Sequence, residues 1–297
     1  MKTLKKSMAL RHRTEALLMR GLLGLLRFLP VDLASDLGGR MIRAIGPHLG
    51  VSRRARRNLT LCGIGDTQTE REAIIRGMWD NLGRTACEYA HLPAFRFYEA
   101  NSRTEVRGME HVDHAIAQGK GAIFISGHFA NWELLPMALV QRGLAVMAVY
   151  RPANNPFADE IINGLRHEAG VTHLAPKGGA GARMLLSWMA GRNYAAMLSD
   201  QKMNDGIEAP FFGRPAMSSS AAAVLARRFS CPLIFASIRR TEGARFIIEA
   251  EAPIYVAQTA DRNGDILAAV MEINRRLENF IRAWPEQWLW LHRRWPE

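Results

Sequence analysis

Residues 121–133 read GAIFISGHFANWE, and this stretch predicts the fold of the chain. Its first half is a short apolar run with glycines on both sides, which is typical of a buried β-strand. The chain then turns at Gly127, and the apolar residues 134–140 predict a helix. A strand, a tight turn and a helix in that order indicate an α/β fold, in which functional sites lie at the carboxyl ends of strands.

His128 and Glu133 are the candidate catalytic pair in this stretch. On one continuous helix, residues five apart point about 140° away from each other, so we expect His128 in the turn and Glu133 in the first helical turn. The carboxylate would then hold one ring N–H and leave the other nitrogen free to take a proton. The spacing is not specific, because His292 and Glu297 repeat it in a tryptophan-rich tail without a preceding strand. A purely structural, hydrogen-bonded histidine is the alternative.

Composition indicates a folded protein with anionic partners. The 297 residues carry a formal net charge of +11, with 48% hydrophobic and 23% charged residues. Such a balance favours nucleic acid, an acidic membrane surface, an acidic carrier protein or a phosphorylated substrate. The three cysteines form no CxxC motif, so the sequence predicts neither a disulfide framework nor a zinc site. We expect no metal and no cofactor.

The N-terminal segment predicts an amphipathic helix. Residues 16–29 are apolar except for two arginines, and the cations Lys6, Arg13, Arg20 and Arg27 recur every seven residues. Residues at that spacing drift only about 20° per step, so the cations form one stripe beside a leucine-rich surface. This pattern is typical of a helix in a membrane interface. A helix packed on the protein's own core, or a tilted spanning helix, remains open.

A basic cluster extends this interpretation. Residues 52–58 read SRRARRN, a basic cluster that would add attraction to anionic lipid. We therefore predict a membrane-associated helical segment over residues 1–60 and an α/β domain over residues 61–297.

From about residue 101 the pattern alternates between strands and helices. The strands over residues 233–238 and 245–250 are expected to run antiparallel around a turn at residues 242–243. It predicts a mixed, mostly parallel central sheet flanked by helices. Arg151 follows one predicted strand, and Asp200 and Gln201 follow another, so these side chains are expected to face one substrate-binding cleft with His128. Lys177 precedes two glycines and a helix and is expected to hold phosphate or an acidic carrier. Each is equally compatible with a capping or ion-pairing residue.

Five motifs carry a family resemblance: GHFANWE, YRP, LSDQ, PFFG and PEQWLWLHRRW, in that order. With them the chain resembles the late lipid A acyltransferases, the lauroyl and myristoyl transferases of the lysophospholipid acyltransferase superfamily. The resemblance implies a glycerol-phosphate-acyltransferase-like fold and an O-acyltransferase on the cytoplasmic face of the cell inner membrane. Its donor would be acyl carrier protein, its acceptor a hydroxyl of a lipid A precursor, and nucleic acid would not be a partner.

The resemblance also suggests residue roles. His128 would be the general base and Glu133 the acid that orients it, since the family uses either Asp or Glu. Arg151 would bind acceptor phosphate or assist the oxyanion, while Phe211 and Phe212 would line the acyl groove. Because Ser126 is the one nearby nucleophile and lies inside the strand, we expect direct transfer rather than an acyl-enzyme. A spanning N-terminal helix, often inferred for relatives, fits poorly with Arg20 and Arg27.

Four alternatives remain at this point. The acceptor could be a lysophospholipid or a phosphatidylinositol mannoside. The chain could be a basic nucleic-acid-binding protein, although no recognised motif supports this. It could be a non-catalytic membrane-binding module, or a hydrolase in which water replaces the alcohol.

Overall fold

The N-terminal part of the protein consists of helices. The computed structural model describes residues 2–295, with side chains from residue 8 onward, so Lys6 of the predicted cationic stripe and Glu297 lie outside the described side chains. The helices of this part are α1 (Lys2–Leu26), α2 (Val31–Ile45), α3 (Ser52–Cys62) and α4 (Gln68–Glu88). Helix α4 begins with a capping box between Thr67 and Glu70, which satisfies two N–H groups of its first turn.

Helices α2 and α4 approach each other closely because glycines face each other at their contact. A Cβ on Gly83 would lie 2.2 Å from the carbonyl oxygen of Gly38, and a Cβ on Gly38 would lie 2.4 Å from that of Gly83. No side chain fits between the two backbones at this point. The glycine pair therefore fixes α2 against α4.

A seven-stranded sheet forms the centre of the remaining chain. Its strands are β1 (Thr104–Arg107), β2 (Ala122–Ser126), β3 (Val146–Tyr150), β4 (His173–Pro176), β5 (Tyr194–Leu198), β8 (Leu233–Arg240) and β9 (Phe246–Ala250), while β6 (Ile207–Phe211) and β7 (Arg214–Ser218) form a separate hairpin. The order is β1-β9-β8-β2-β5-β3-β4, with β2 in the middle. All neighbours are parallel except β8 and β9. The predicted α/β fold with a mixed, mostly parallel sheet is confirmed.

Helices cover both faces of the sheet. They are α5 (Met109–Ala117), α6 (Leu134–Gln141), α7 (Pro156–Glu168), α8 (Gly179–Ala190), α9 (Ala221–Phe229) and α10 (Arg262–Ala283). Alternate residues of β2 point to opposite faces: Phe124 packs in one apolar cluster with residues of α5 and α6, and Ile125 in a larger cluster with residues of α8, α9 and α10. The two cores therefore meet at β2.

Strand β4 and the β6–β7 hairpin were not predicted from the sequence. Strand β4 has four residues and ends in Pro176, so its pattern is too short to recognise. Each strand of the hairpin contains a proline, Pro210 or Pro215, and proline argues against a strand when only the sequence is read.

Helix α1 has a buried side and an exposed apolar side. Ala16, Leu23 and Leu26 are buried. The exposed large apolar side chains include Leu17, Leu18, Leu22 and Leu25 on the outer side of α1 and Phe28 just after it. Two of the predicted stripe cations contact α7, since Arg27 pairs with Glu168 at 2.5 Å and Arg13 lies over the Phe157 ring. Within residues 2–295 no helix combines the length and apolarity needed to cross a membrane. Membrane association of residues 1–60 and the two-domain division stay predictions.

The glycine contact between α2 and α4 gives a stability prediction. Gly83→Ala should destabilise the protein by about 1–3 kcal/mol, because the new methyl overlaps the Gly38 backbone. The matched control is Gly164→Ala in α7, where a Cβ has nothing within 4 Å; it should be stabilising by about 0.5–1 kcal/mol through helix propensity. Chemical denaturation of both variants measures the difference, and equal stabilities would contradict the close-packing explanation.

Candidate active site

His128 lies in the loop that follows the central strand β2, as predicted. The loop passes through Ala130 with φ of 41°, a left-handed conformation that is uncommon for a residue with a side chain. Neighbouring groups hold it there: the Ala130 carbonyl accepts hydrogen bonds from Asn81 and Thr85 of α4, and its N–H donates to the Gln287 carbonyl. The position of His128 is therefore fixed by α4 and the C-terminal segment as well as by the sheet.

Asp200 is the carboxylate that contacts His128. Its Oδ1 lies 2.8 Å from His128 Nδ1, and its Oδ2 accepts the His128 backbone N–H at 2.9 Å and the Trp288 indole N–H at 2.8 Å. Burial by itself would raise the pKa of Asp200, but the nearby imidazoles and the donated hydrogen bonds outweigh burial and hold that pKa well below its usual range. An ionised Asp200 places the proton of His128 on Nδ1 and leaves Nε2 as the basic nitrogen.

Glu133 has different partners, and the expectation that it holds the His128 ring is wrong. Arg166 of α7 donates to both of its oxygens, at 2.6 and 2.8 Å, and Tyr89 and the Trp132 indole donate to Oε1. Burial acts to raise the pKa of Glu133, but the Arg166 hydrogen bonds and charge lower it overall. Glu133 thus forms a buried ion pair with Arg166, which was not among the residues predicted for the site.

A second imidazole lies beside His128. The Gln201 amide nitrogen is 3.2 Å from His128 Nε2 and 3.3 Å from His292 Nε2, so its two hydrogens can bridge two acceptors. The two rings lie with centroids 5.0 Å apart. Burial, followed by the neighbouring His128, lowers the pKa of His292 to about 4, so His292 is neutral near pH 7.

Among the described residues, one group could hold a metal ion: His128, Asp200 and His292. Their potential ligand atoms all lie within 4.8 Å of one another. Asp200 Oδ1 accepts the His128 Nδ1–H, and Asp200 Oδ2 accepts the His128 backbone N–H and the Trp288 indole N–H. Three donated hydrogen bonds therefore account for the position of the carboxylate within the protein.

A cavity of about 630 Å³ extends from His128 across the sheet. Its lining includes residues from all seven strands of the sheet, and His128 follows the middle strand. The part towards β1, here called the apolar arm, is lined by Ala236, Ile248, Ala250, Val106, Met109, Val112, Leu139 and Tyr98. The part towards β4, here called the cationic arm, is lined by Arg151, Arg166, Lys177, Gly178, Gly179 and Asp205.

The structure brings most predicted site residues to this cavity. Glu133, Arg151, Lys177 and Gln201 line it together with His128, whereas the predicted substrate contact Asp200 is fully buried behind His128.

Phe211 and Phe212 correct a prediction. They are buried and outside the cavity lining formed by the described residues, where they pack against Trp288, Trp290 and Trp295. Their place at the end of β6, in the separate hairpin, keeps them away from the acyl groove expected for them.

Comparison with known proteins assigns the family. The sequence model for bacterial lipid A biosynthesis acyltransferases matches residues 2–297. The chain belongs to that family. It is 27% identical to a lipid A biosynthesis palmitoleoyltransferase of Escherichia coli (92% of this chain, 88% of the relative) and 26% identical to a lipid A biosynthesis lauroyltransferase of the same organism (82% and 79%). It is also 24% identical to a phosphatidylinositol mannoside acyltransferase of Mycobacterium tuberculosis (73% and 68%).

In this lipid A acyltransferase family member, strand register is the signal that could have identified Asp200. Ser126 at the end of β2 pairs with Leu198 at the end of β5, so the residues that follow the two strands are level. Two residues further on, His128 and Asp200 meet. Arg166 and His292 carry no such local signal, because they come from a helix and from the C-terminal tail.

The neutral His292 gives a pH prediction. Its pKa is about 4 in the folded protein against 6.5 in the unfolded chain, so the unfolded chain binds more protons between these values. The free energy of unfolding should therefore fall by about 3 kcal/mol as pH decreases across this window. His292→Gln should flatten this part of the urea-denaturation profile, whereas His114→Gln, at an exposed histidine, should not. An unchanged slope in His292→Gln would contradict burial of a neutral imidazole.

Proposed function

We propose that the protein is a late lipid A acyltransferase that moves a fatty acyl group from acyl carrier protein to a hydroxyl of a lipid A precursor. The observation that carries this proposal is a His128–Asp200 pair placed between an apolar arm and a cationic arm of one cavity. The acyl chain fits the apolar arm, and the polar acceptor fits the cationic arm. The reacting thioester and hydroxyl then meet at His128.

His128 Nε2 acts as the general base. The acceptor hydroxyl takes the place of the Gln201 amide at Nε2 and transfers its proton there, while Asp200 holds Nδ1–H and stabilises the imidazolium. The hydroxyl oxygen forms a bond to the thioester carbonyl carbon. When the C–S bond breaks, the imidazolium returns the proton to the departing thiolate. The products are an ester and the carrier's free thiol.

Hydrogen-bond donors near the reacting groups can stabilise the oxyanion that forms after the hydroxyl attacks and before the C–S bond breaks. The Gln201 amide is within reach of the reacting nitrogen, and Arg151 lies on the cavity wall. Preorganised donors of this kind stabilise developing charge more strongly than water does. Glu133 contributes indirectly, because its ion pair fixes the Arg166 guanidinium in the cavity wall.

Charge suits both substrates. The net charge of +11 favours an acidic carrier protein. Arg151 and Lys177 in the cationic arm, next to the glycines that precede α8, offer donors to the phosphates of a phosphorylated glycolipid. Arg166 in the same arm is already paired with Glu133, so Arg151 and Lys177 are the side chains proposed to contact the acceptor.

The exposed apolar side of α1 supports a place at a membrane surface, which we propose to be the cytoplasmic face of the inner membrane. Phe28 is 87% exposed, and the leucines at positions 17, 18, 22 and 25 are more than half exposed. On α2, Leu33, Leu37, Met41 and Ile45 form an exposed stripe at intervals of four residues. An apolar surface of this size on a basic protein suits the interface of an anionic bilayer. Helix α1 packs on α7, which carries Arg166, so a docked lipid acceptor would lie one helix away from the site.

The catalytic pair is tested by substitution. His128→Ala and Asp200→Asn should each lower transfer from acyl carrier protein by about 10²–10⁴-fold, because the first removes the base and the second its correct tautomer. His114→Ala, at an exposed histidine, should be near wild type. Transfer is measured with purified protein whose thermal unfolding is unchanged. Normal turnover by Asp200→Asn, together with loss in Glu133→Gln, would assign the orienting role to Glu133 instead.

The membrane surface is tested separately. Leu22→Asp with Leu25→Asp should weaken binding to phosphatidylethanolamine–phosphatidylglycerol vesicles by at least about tenfold, since each buried CH₂ contributes about 0.8 kcal/mol. The matched control is Leu267→Asp with Met271→Asp, which alters exposed apolar residues of α10. Vesicle sedimentation measures both. Equal binding by the two double variants would reject docking through α1.

The mannoside acyltransferase relative keeps a second acceptor class open. Parallel assays should offer the wild type a lipid A precursor, a lysophospholipid and a phosphatidylinositol mannoside with the same acyl donor. Preference for either of the latter two would replace the proposed acceptor while leaving the His128–Asp200 chemistry in place. Vesicle binding without any acyl transfer would favour the non-catalytic membrane-binding alternative.

A further inference from the structure

The apolar arm ends at Tyr98, which lies between the cavity and solvent. Tyr98 lines the cavity and is also 42% exposed. It precedes β1, the edge strand, three strands away from β2 in the sheet. Neighbouring strands are about 4.8 Å apart, so the arm reaches roughly 14 Å sideways from the strand that carries His128 to the strand next to Tyr98.

Contacts hold Tyr98 across the gap between α5 and α6. Its hydroxyl donates to the Ala138 carbonyl of α6 at 3.1 Å and lies 3.8 Å from the Met109 sulfur of α5. Arg142, which follows α6, lies over the Tyr98 ring and pairs with Asp113 of α5 at 2.8 Å. The ring and this ion pair together connect the two helices that cover the apolar arm.

The backbone at Tyr98 is strained, with φ of 63°. A left-handed conformation is a clear outlier for a bulky residue and persists only where neighbours enforce it. Gln141 at the end of α6 enforces it here: its side chain accepts the Phe97 N–H and donates to the Phe95 carbonyl. The chain thus maintains an unfavourable conformation that directs an aromatic side chain over the end of an apolar cavity.

We propose that Tyr98 closes the apolar arm and sets the longest acyl chain that the enzyme transfers efficiently. This inference rests on the proposed acyltransferase function. A chain that enters at His128 and runs towards β1 meets the Tyr98 ring at the far end, and additional methylene groups would overlap that ring. Tyr98 is therefore a specificity-determining residue that does not touch the reacting atoms.

The experiment compares chain-length profiles. Wild type and Tyr98→Ala are given an equimolar mixture of lauroyl, myristoyl, palmitoyl and stearoyl acyl carrier proteins with a lipid A precursor, and the products are quantified by mass spectrometry. Tyr98→Ala should raise the ratio of the longest to the preferred acyl product by at least about tenfold, since each additional buried methylene corresponds to roughly a fourfold factor. Tyr98→Phe keeps the ring and should keep the wild-type profile.

Two further variants make the result specific. Ala250→Leu fills the arm from β9 and should shift the profile towards shorter chains, opposite to Tyr98→Ala. Tyr255→Ala removes a tyrosine that is 55% exposed and hydrogen-bonded to Gln118, outside the cavity, and should leave the profile unchanged.

The outcomes separate this inference from the proposed function. If the wild type transfers acyl groups and Tyr98→Ala, folded by circular dichroism, has the wild-type profile, the role of Tyr98 is rejected. If the wild type transfers no acyl group of any length, the proposed function itself fails.

Discussion

A buried ion pair between Glu88 and Arg240 connects the parts of this protein. Glu88 is fully buried at the end of α4, and its carboxylate accepts hydrogen bonds from Arg240 of β8, Ser35 of α2 and Asn131 of the His128 loop. Removing one partner of a buried pair typically costs about 3–5 kcal/mol, because the other charge is left uncompensated. The N-terminal helices, the sheet and the His128 loop are therefore stabilised by a single carboxylate.

The Glu88–Arg240 ion pair also supports the loop that carries His128. Arg240 donates further to Asn81 and Thr85, the same side chains that donate to the Ala130 carbonyl. This network maintains the unfavourable φ of Ala130. It thereby holds His128, two residues earlier in the same loop, in contact with Asp200. Positions supported by several buried hydrogen bonds hold catalytic geometry better than a free loop does.

Two buried carboxylates near the cavity have different roles in its structure. Asp200 orients the imidazole, and Glu133 binds Arg166 in the wall of the cavity. This difference separates the carboxylate that orients His128 from the carboxylate that fixes a side chain in the cavity wall. The carboxylates also lie near the junction of the two arms, since the cationic arm with Arg166 extends towards β4 and the apolar arm towards β1.

The strand–turn–helix unit around His128, the mostly parallel sheet and the family could be predicted from the amino-acid sequence, because local apolar patterns and motif order carry that information. The sequence indicated these features without any knowledge of distant contacts. It also placed Arg151, Lys177 and Gln201 at strand ends or before a helix, where they do line the cavity. The carboxylate that contacts His128 could be identified only from the folded structure. Asp200 is 72 positions away in sequence, but it follows the strand next to the one that precedes His128. The burial of Phe211 and Phe212 under C-terminal tryptophans was decided in the same way. Such contacts depend on strand order and register, which are set by packing between distant segments and leave no periodic pattern in the chain.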